Sequence, residues 1–147
     1  MTPAQRIGRD LKESGFSILS VHDEAGIFTY SVGFTEFGMP EVIICGLRSE
    51  TAARFLWDIY NVYKEGQCFP LDTPVEELAN LPCVFKAITA ESAREFCCQA
   101  VYWYEGEEKK PTFIQMVLPD REGLFPWQKG YDAELMRCQR HLWPEIH

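Results

Sequence analysis

Glu41-Val42-Ile43-Ile44-Cys45-Gly46 is an apolar run with almost no alternation, and a strand of that kind is stable only where both of its faces are covered. It predicts the centre of a sheet. Upstream, residues 27–34 alternate: Phe28, Tyr30, Val32 and Phe34 share one face and Thr29, Ser31 and Gly33 the other. That strand is expected to bury an aromatic face and to present a small, hydroxyl-rich one. Residues 16–21 also favour strand, and Asp23-Glu24-Ala25-Gly26 suits a hairpin turn between the two.

Helical signals surround these strands. Thr2-Pro3-Ala4-Gln5 has capping-box order, which predicts a helix to about Ser14 with Gly15 as its stop. Residues 49–65 carry Ala52, Phe55, Leu56, Ile59, Val62 and Tyr63 at helical spacing. Thr73-Pro74-Val75-Glu76 repeats the capping pattern and predicts a short helix ending near Asn80, followed by a strand over residues 83–88. A further helix is expected from Thr89 to Tyr104, with Cys97 inward and Cys98 off to one side, and a strand over residues 112–118. Between them, Glu105-Gly106-Glu107-Glu108-Lys109-Lys110-Pro111 reads as a solvated connection. The sum is a single α+β domain over residues 1–147, with helices packed on an antiparallel or mixed sheet of about five strands. Its expected core is Ile18, Phe28, Tyr30, Val32, Ile44, Phe55, Leu56, Ile59, Phe85, Phe96, Val101, Ile114 and Met116.

Charge and cysteine usage narrow the function classes. Asp and Glu outnumber Lys and Arg by 22 to 14, and a net charge of -8 opposes binding to nucleic acid or to an anionic membrane. No apolar run approaches the ~18 residues of a bilayer span. Met1-Thr2-Pro3-Ala4-Gln5-Arg6 reads as a helix start rather than a secretory signal, so a cytoplasmic protein is expected. Its six cysteines should then be reduced, and with no C-x-x-C pair and only His22, His141 and His147, no metal site is expected. The chain also lacks a G-x-S-x-G elbow, a P-loop, a dinucleotide-binding glycine pattern and H-E-x-x-H.

Two separated motifs carry a resemblance. Tyr30-Ser31-Val32-Gly33-Phe34 leads to Phe37-Gly38-Met39-Pro40-Glu41-Val42-Ile43-Ile44-Cys45-Gly46-Leu47. Gln115-Met116-Val117-Leu118-Pro119-Asp120 leads to Gly123-Leu124-Phe125-Pro126-Trp127. In this order they resemble the bacterial family catalogued as domain of unknown function 4262, from Ile7 to about Leu142. Where that family tends to have Gln-Pro near the C-terminus, this chain has Gln139-Arg140. The resemblance implies positions and no mechanism.

Five residues in these motifs are candidates for ligand binding: Gly33, Glu41, Gln115, Asp120 and Trp127. Glu41 puts a carboxylate at the mouth of an apolar strand, where it either meets a ligand or, the favoured reading, is ion-paired or exposed. Gln115 interrupts an apolar strand and either reads a ligand amide or braces backbone. Asp120 suits a turn whose amides it accepts, and Trp127 either closes the core, the favoured reading, or stacks on a flat ligand. If the strands beginning at Glu41 and ending at Leu118 are antiparallel neighbours, both carboxylates lie near one rim of a concave surface with Trp127 in its wall, and at least one has its pKa raised by the other's charge. His22 and His141 are read as surface residues.

The leading expectation is a non-catalytic module binding a small molecule or a protein partner. The rival is an enzyme or a flavin-type cofactor binder, in which Thr29-Tyr30-Ser31 offer donors to a phosphate or an isoalloxazine ring. The sequence identifies no cofactor.

Overall fold

Thr2 opens α1 (Pro3–Ser14) with the expected box: its hydroxyl accepts from the Gln5 amide at 3.1 Å, and the Gln5 side chain accepts from the Thr2 amide at 2.9 Å. β1 (Ser17–Asp23) and β2 (Gly26–Val32) follow as the expected hairpin, in register from Ser17 opposite Val32 to Asp23 opposite Gly26. The computed structural model describes residues 1–80 and 82–144, apart from the side chains of residues 136 and 137; His147 lies outside the described residues.

The run without a polar face becomes β3 (Glu41–Cys45), deep in a six-stranded sheet of order β1-β2-β3-β6-β5-β4. β4 is Pro74–Val75, β5 is Cys83–Ala87 and β6 is Phe113–Val117. The β3–β6 pair is parallel and every other pair antiparallel, so the fold is α+β with a mixed sheet. α2 (Ser49–Lys64) covers one face, packing Ala52, Leu56 and Ile59 with Val42, Ile44, Phe85 and Met116. α1, α3 (Ala90–Phe96) and α4 (Cys98–Trp103) cover the other, where Ile7, Cys97 and Ala100 meet Phe28, Tyr30, Val32 and Ile43. Burying one such aliphatic side chain contributes about 1.5–3 kcal/mol, which is why a strand with no polar face belongs between two helical layers. Among the described residues, no helix is long and apolar enough to cross a membrane.

Several local expectations give way to packing. β2 stops at Val32 because Gly33, at φ 127°, breaks the alternation, and a 3-10 turn over Phe34–Phe37 swings the Phe34 ring into the α2 layer, 4.9 Å from Phe16 and 5.0 Å from Tyr63. Thr29 and Ser31 present nothing to solvent: both are fully buried, and Thr29 bonds Ser20 at 2.8 Å. The helix expected over residues 73–80 is instead β4, since pairing Val75 with Cys83 and burying it in the α2 layer outweighs local capping; Pro74 is tolerated because β4 is an edge strand. It also raises the strand count from about five to six. The helix expected from Thr89 to Tyr104 breaks at Cys97 (φ -108°, ψ 37°). Of the expected core, Ile18, Phe55, Phe96 and Val101 are half-buried and the rest are buried. All six cysteines are free thiols, with Cys97 buried and Cys98 half-buried.

Candidate functional site

Glu41 is not exposed, and among the described residues it makes no ion pair. Its carboxylate is wholly buried, with Oε1 accepting from Ser31 Oγ at 2.7 Å and the Phe34 amide at 3.1 Å. Oε2 accepts from the amides of Gly33 at 3.1 Å and Thr35 at 2.9 Å, and from Thr35 Oγ1 at 2.6 Å. Three successive amides thus form an anion nest, and the anion is the chain's own. Ser31 Oγ closes the circuit by accepting from the Val42 amide at 3.0 Å. Burial pushes the Glu41 carboxyl above its ordinary pKa, against the downward pull of Thr35, Ser31 and Gly33. All five partners donate, so the geometry suits the ionised form. Gly33 is required because a Cβ there would sit 2.9 Å from Phe16 Cα.

Asp120 organises a second region, beyond the end of β6. Its Oδ1 accepts from the amides of Glu122 and Leu124, both at 2.9 Å, its Oδ2 accepts from the Asp132 amide at 3.1 Å, and its own amide donates to Leu124 O at 2.8 Å. Burial works to raise this carboxyl, but the three amides prevail and hold it below its ordinary pKa. The loop over residues 120–132 is therefore pinned at both ends, and it carries Phe125, Pro126 and Trp127.

Because the folded pKa is depressed, Asp120 stabilises the loop above its unfolded value, and that contribution is lost as pH falls through the folded one. An acid titration followed by the Trp127 indole N–H resonance is expected to show loop release only on the acid side of the ordinary carboxylate range, and Asp120→Asn to lack that step. Identical titrations of the two proteins would show that the carboxylate does not hold the loop.

Gln115 braces backbone: buried in β6, it donates from Nε2 to Arg140 O at 2.6 Å and accepts at Oε1 from the Leu142 amide at 3.2 Å. Gln139 does the same for Leu118, accepting from its amide and donating to its carbonyl, each at 2.7 Å, and its Nε2 also donates to Tyr131 Oη at 3.0 Å. Two amide side chains thus stitch residues 139–142 along β6. The Arg140 guanidinium, bonded to Asp23, lies 5.0 Å from the Phe28 ring and 5.1 Å from Phe96. This path sets His141 and Trp143 across from Trp127.

Pro126, Trp127, Gln139, His141 and Trp143 line a cleft of about 250 Å³. Trp127 is 45% exposed, stacks on Phe125 at 5.1 Å and meets the Trp143 ring edge-on at 5.7 Å. His141, itself exposed, lies 3.9 Å from the Trp143 ring. Lys86 Nζ is 4.5 Å from the Trp127 ring centre and 2.8 Å from the Asp72 carboxylate. Trp127 is therefore not the core residue favoured from sequence.

The shared rim does not exist. β3 and β6 are neighbours but parallel, with Glu41 opposite Phe113, so Glu41 opens one end of the pair and Asp120 lies beyond the other. Seven residues from Phe113 to Asp120 correspond to roughly 23 Å of extended chain. Gly33 stays with Glu41, Asp120 with Trp127, and Gln115 between them is occupied. Gln139, Trp143 and Lys86 were missed from sequence; Trp143, a large ring before Pro144 near the C-terminus, repeats in reverse order the Pro126-Trp127 pair and was the signal at hand.

A family model described as Domain of unknown function (DUF4262) matches residues 10–132, a stretch that takes in both motifs. The chain belongs to the DUF4262 family. No curated protein and no solved structure matches it. In this DUF4262 chain the first motif builds the buried nest around Glu41 and the second builds the Asp120 loop. The DUF4262 match supplies Pro126 and Trp127, while Gln139, His141 and Trp143 follow it in the chain. Among the described residues, no group of three or more His, Cys, Asp or Glu side chains is placed to hold a metal ion.

Proposed function

We propose that this protein is a non-catalytic binding module of the bacterial cytoplasm, one domain over residues 1–147, that takes a small molecule by a single planar ring in the cleft lined by Pro126, Trp127, Gln139, His141 and Trp143. The observation that carries the reading is Trp127 itself: a large ring left 45% exposed on a loop that Asp120 pins with three backbone hydrogen bonds, and braced edge-on by a second tryptophan. Pre-organised aromatic walls reduce the entropy lost on binding. At about 250 Å³ the cleft lies below the roughly 300–1,000 Å³ of drug-sized sites, which favours one ring over an isoalloxazine.

The absence of a catalytic role is supported by the engagement of both motif carboxylates with backbone donors. The flavin-type rival loses its footing, since Thr29 Oγ1 bonds Ser20 and Ser31 Oγ bonds Glu41 and Val42. A net charge of -8 disfavours nucleic acid, and six free thiols suit a reducing compartment.

Native mass spectrometry and absorption of freshly purified protein form the first test, followed by NMR titration with indole, benzoate and nicotinamide. At least one ring should move the Trp127 and Trp143 indole resonances saturably, and Trp127→Ala should weaken that binding about tenfold while leaving the fold intact. A yellow protein carrying a flavin mass would transfer the reading to a cofactor binder. A protein that stays silent toward every ring and copurifies only with another polypeptide would make the cleft a protein-docking point instead.

A further inference from the structure

A groove of about 510 Å³ opens where α3, α4 and the start of β6 meet, and its floor is apolar, made by Ile88, Ala93, Val101, Pro111 and Phe113. Val101 belongs to the stripe that the sequence assigns to the core, yet it stays half-buried, as do Ile88 and Phe113. The floor is fixed before any ligand arrives. The Ile88 amide donates to Phe113 O at 3.2 Å, and both side chains pack on the layer that holds Cys97 and Ala100. Ala93 and Val101 reach the groove from either side of the helix break at Cys97.

Two cations line the same groove, Arg94 from α3 and Lys110 from the connection into β6, and among the described residues no carboxylate does. Both are exposed, and neither has a hydrogen bond or an ion pair among the described residues, although Asp and Glu outnumber Lys and Arg by 22 to 14. The neighbouring Lys109, by contrast, donates to the Glu36 carbonyl at 3.2 Å. An apolar floor with positive charge alone beside it matches an anion that carries its own apolar tail. Charges more than about 8–10 Å away are screened at ordinary salt, so for a single carboxylate the two cations lining the groove outweigh the net charge of -8, which repels a phosphate-rich ligand more strongly. We propose that this groove binds a free straight-chain monocarboxylate, its carboxylate held by Arg94 and Lys110 and its alkyl chain laid over Val101 and Phe113. This site is independent of the Trp127 cleft.

NMR titration of the intact protein with octanoate, hexanoate, 1-octanol and octylamine tests it. Octanoate should bind saturably and move the amide resonances of Ala93, Val101 and Phe113 while leaving the Trp127 and Trp143 indoles in place. Each methylene withdrawn from water contributes a factor of up to about four, so hexanoate, shorter by two, should bind about fivefold more weakly. Loss of the charge pairing, in 1-octanol or in the double variant Arg94→Gln with Lys110→Gln, should weaken binding about tenfold. Both side chains are exposed and have no partner to lose among the described residues, so the double variant should keep the wild-type thermal midpoint. Octylamine should bind no more tightly than the alcohol. Failure of octanoate to saturate, equal affinity for octanoate and 1-octanol, an unchanged affinity in the double variant, or shifts confined to the Trp127 cleft would overturn the proposal.

Discussion

Glu41→Leu should cost about 4 kcal/mol or more, a large share of the roughly 5–15 kcal/mol that holds a domain of this kind together. The substitution strands the amides of Gly33, Phe34 and Thr35 and the hydroxyls of Ser31 and Thr35, all buried, with no acceptor in place of the carboxylate. Each buried donor left unmade costs about 1–3 kcal/mol, so even the lower figure, partly relieved by local rearrangement, gives a severe effect. Buried ion pairs can often be replaced by hydrophobic residues without loss, but there both charges go together, whereas here the donors belong to the backbone and remain. Glu41→Gln keeps one acceptor oxygen and turns an NH2 group on donors, and should cost about 2–3 kcal/mol. Urea unfolding measures both. A Glu41→Leu protein within about 1 kcal/mol of wild type would show that the nest is not what fixes this end of the sheet.

Gly33→Ala is the second severe change, expected at about 3 kcal/mol from combined backbone strain and steric overlap. At φ 127° an L side chain is strained in any surroundings, and here the new Cβ would also lie 2.9 Å from both Cα and Cβ of Phe16 and 3.1 Å from Gly15 O. Phe16 cannot easily retreat, since its ring packs 4.9 Å from Phe34 and 4.8 Å from Tyr60. Gly26 is the natural control: its φ is 130°, but a Cβ there meets nothing within 4 Å, so Gly26→Ala carries dihedral strain alone. Equal losses in the two variants, measured by chemical denaturation, would mean that the contact with Phe16 contributes nothing.

The layers of this fold are written plainly in its sequence, and its strand directions are not. Val42, Ile43 and Ile44 have no polar neighbour to turn outward, so burial of β3 on both faces follows from composition. The direction of β6 beside it leaves no such mark, because a period of two is the same read either way, and residues 46–112 are long enough to return the chain parallel or antiparallel. Expecting Glu41 and Asp120 on one rim failed at that point. Residues 73–80 show the converse: a good capping pattern was legible, but the partner that overrode it, Cys83 opposite Val75, is a tertiary fact. Of the candidate cleft, Trp127 was legible as a rigid ring after a proline. Its opposite wall was not, since Trp143 reaches it only because Gln115 and Gln139 hold the intervening backbone against β6.

Parallel pairing of β3 with β6 also sets a timetable for synthesis. The β1–β2–β3 meander joins neighbours in the chain and can assemble as soon as Cys45 is available, yet the other edge of β3 has no partner until Phe113–Val117 emerges from the ribosome. At about 5–20 residues per second that wait lasts roughly 4–14 s, during which the open amides and carbonyls beside Ile43 and Ile44 are a template for any passing strand. α2 is made early in that interval and shields one face of the meander, but a helix on a face does not close an edge. The nascent chain is therefore most exposed to misassembly, and most in need of a chaperone, between the emergence of its central strand and the arrival of β6.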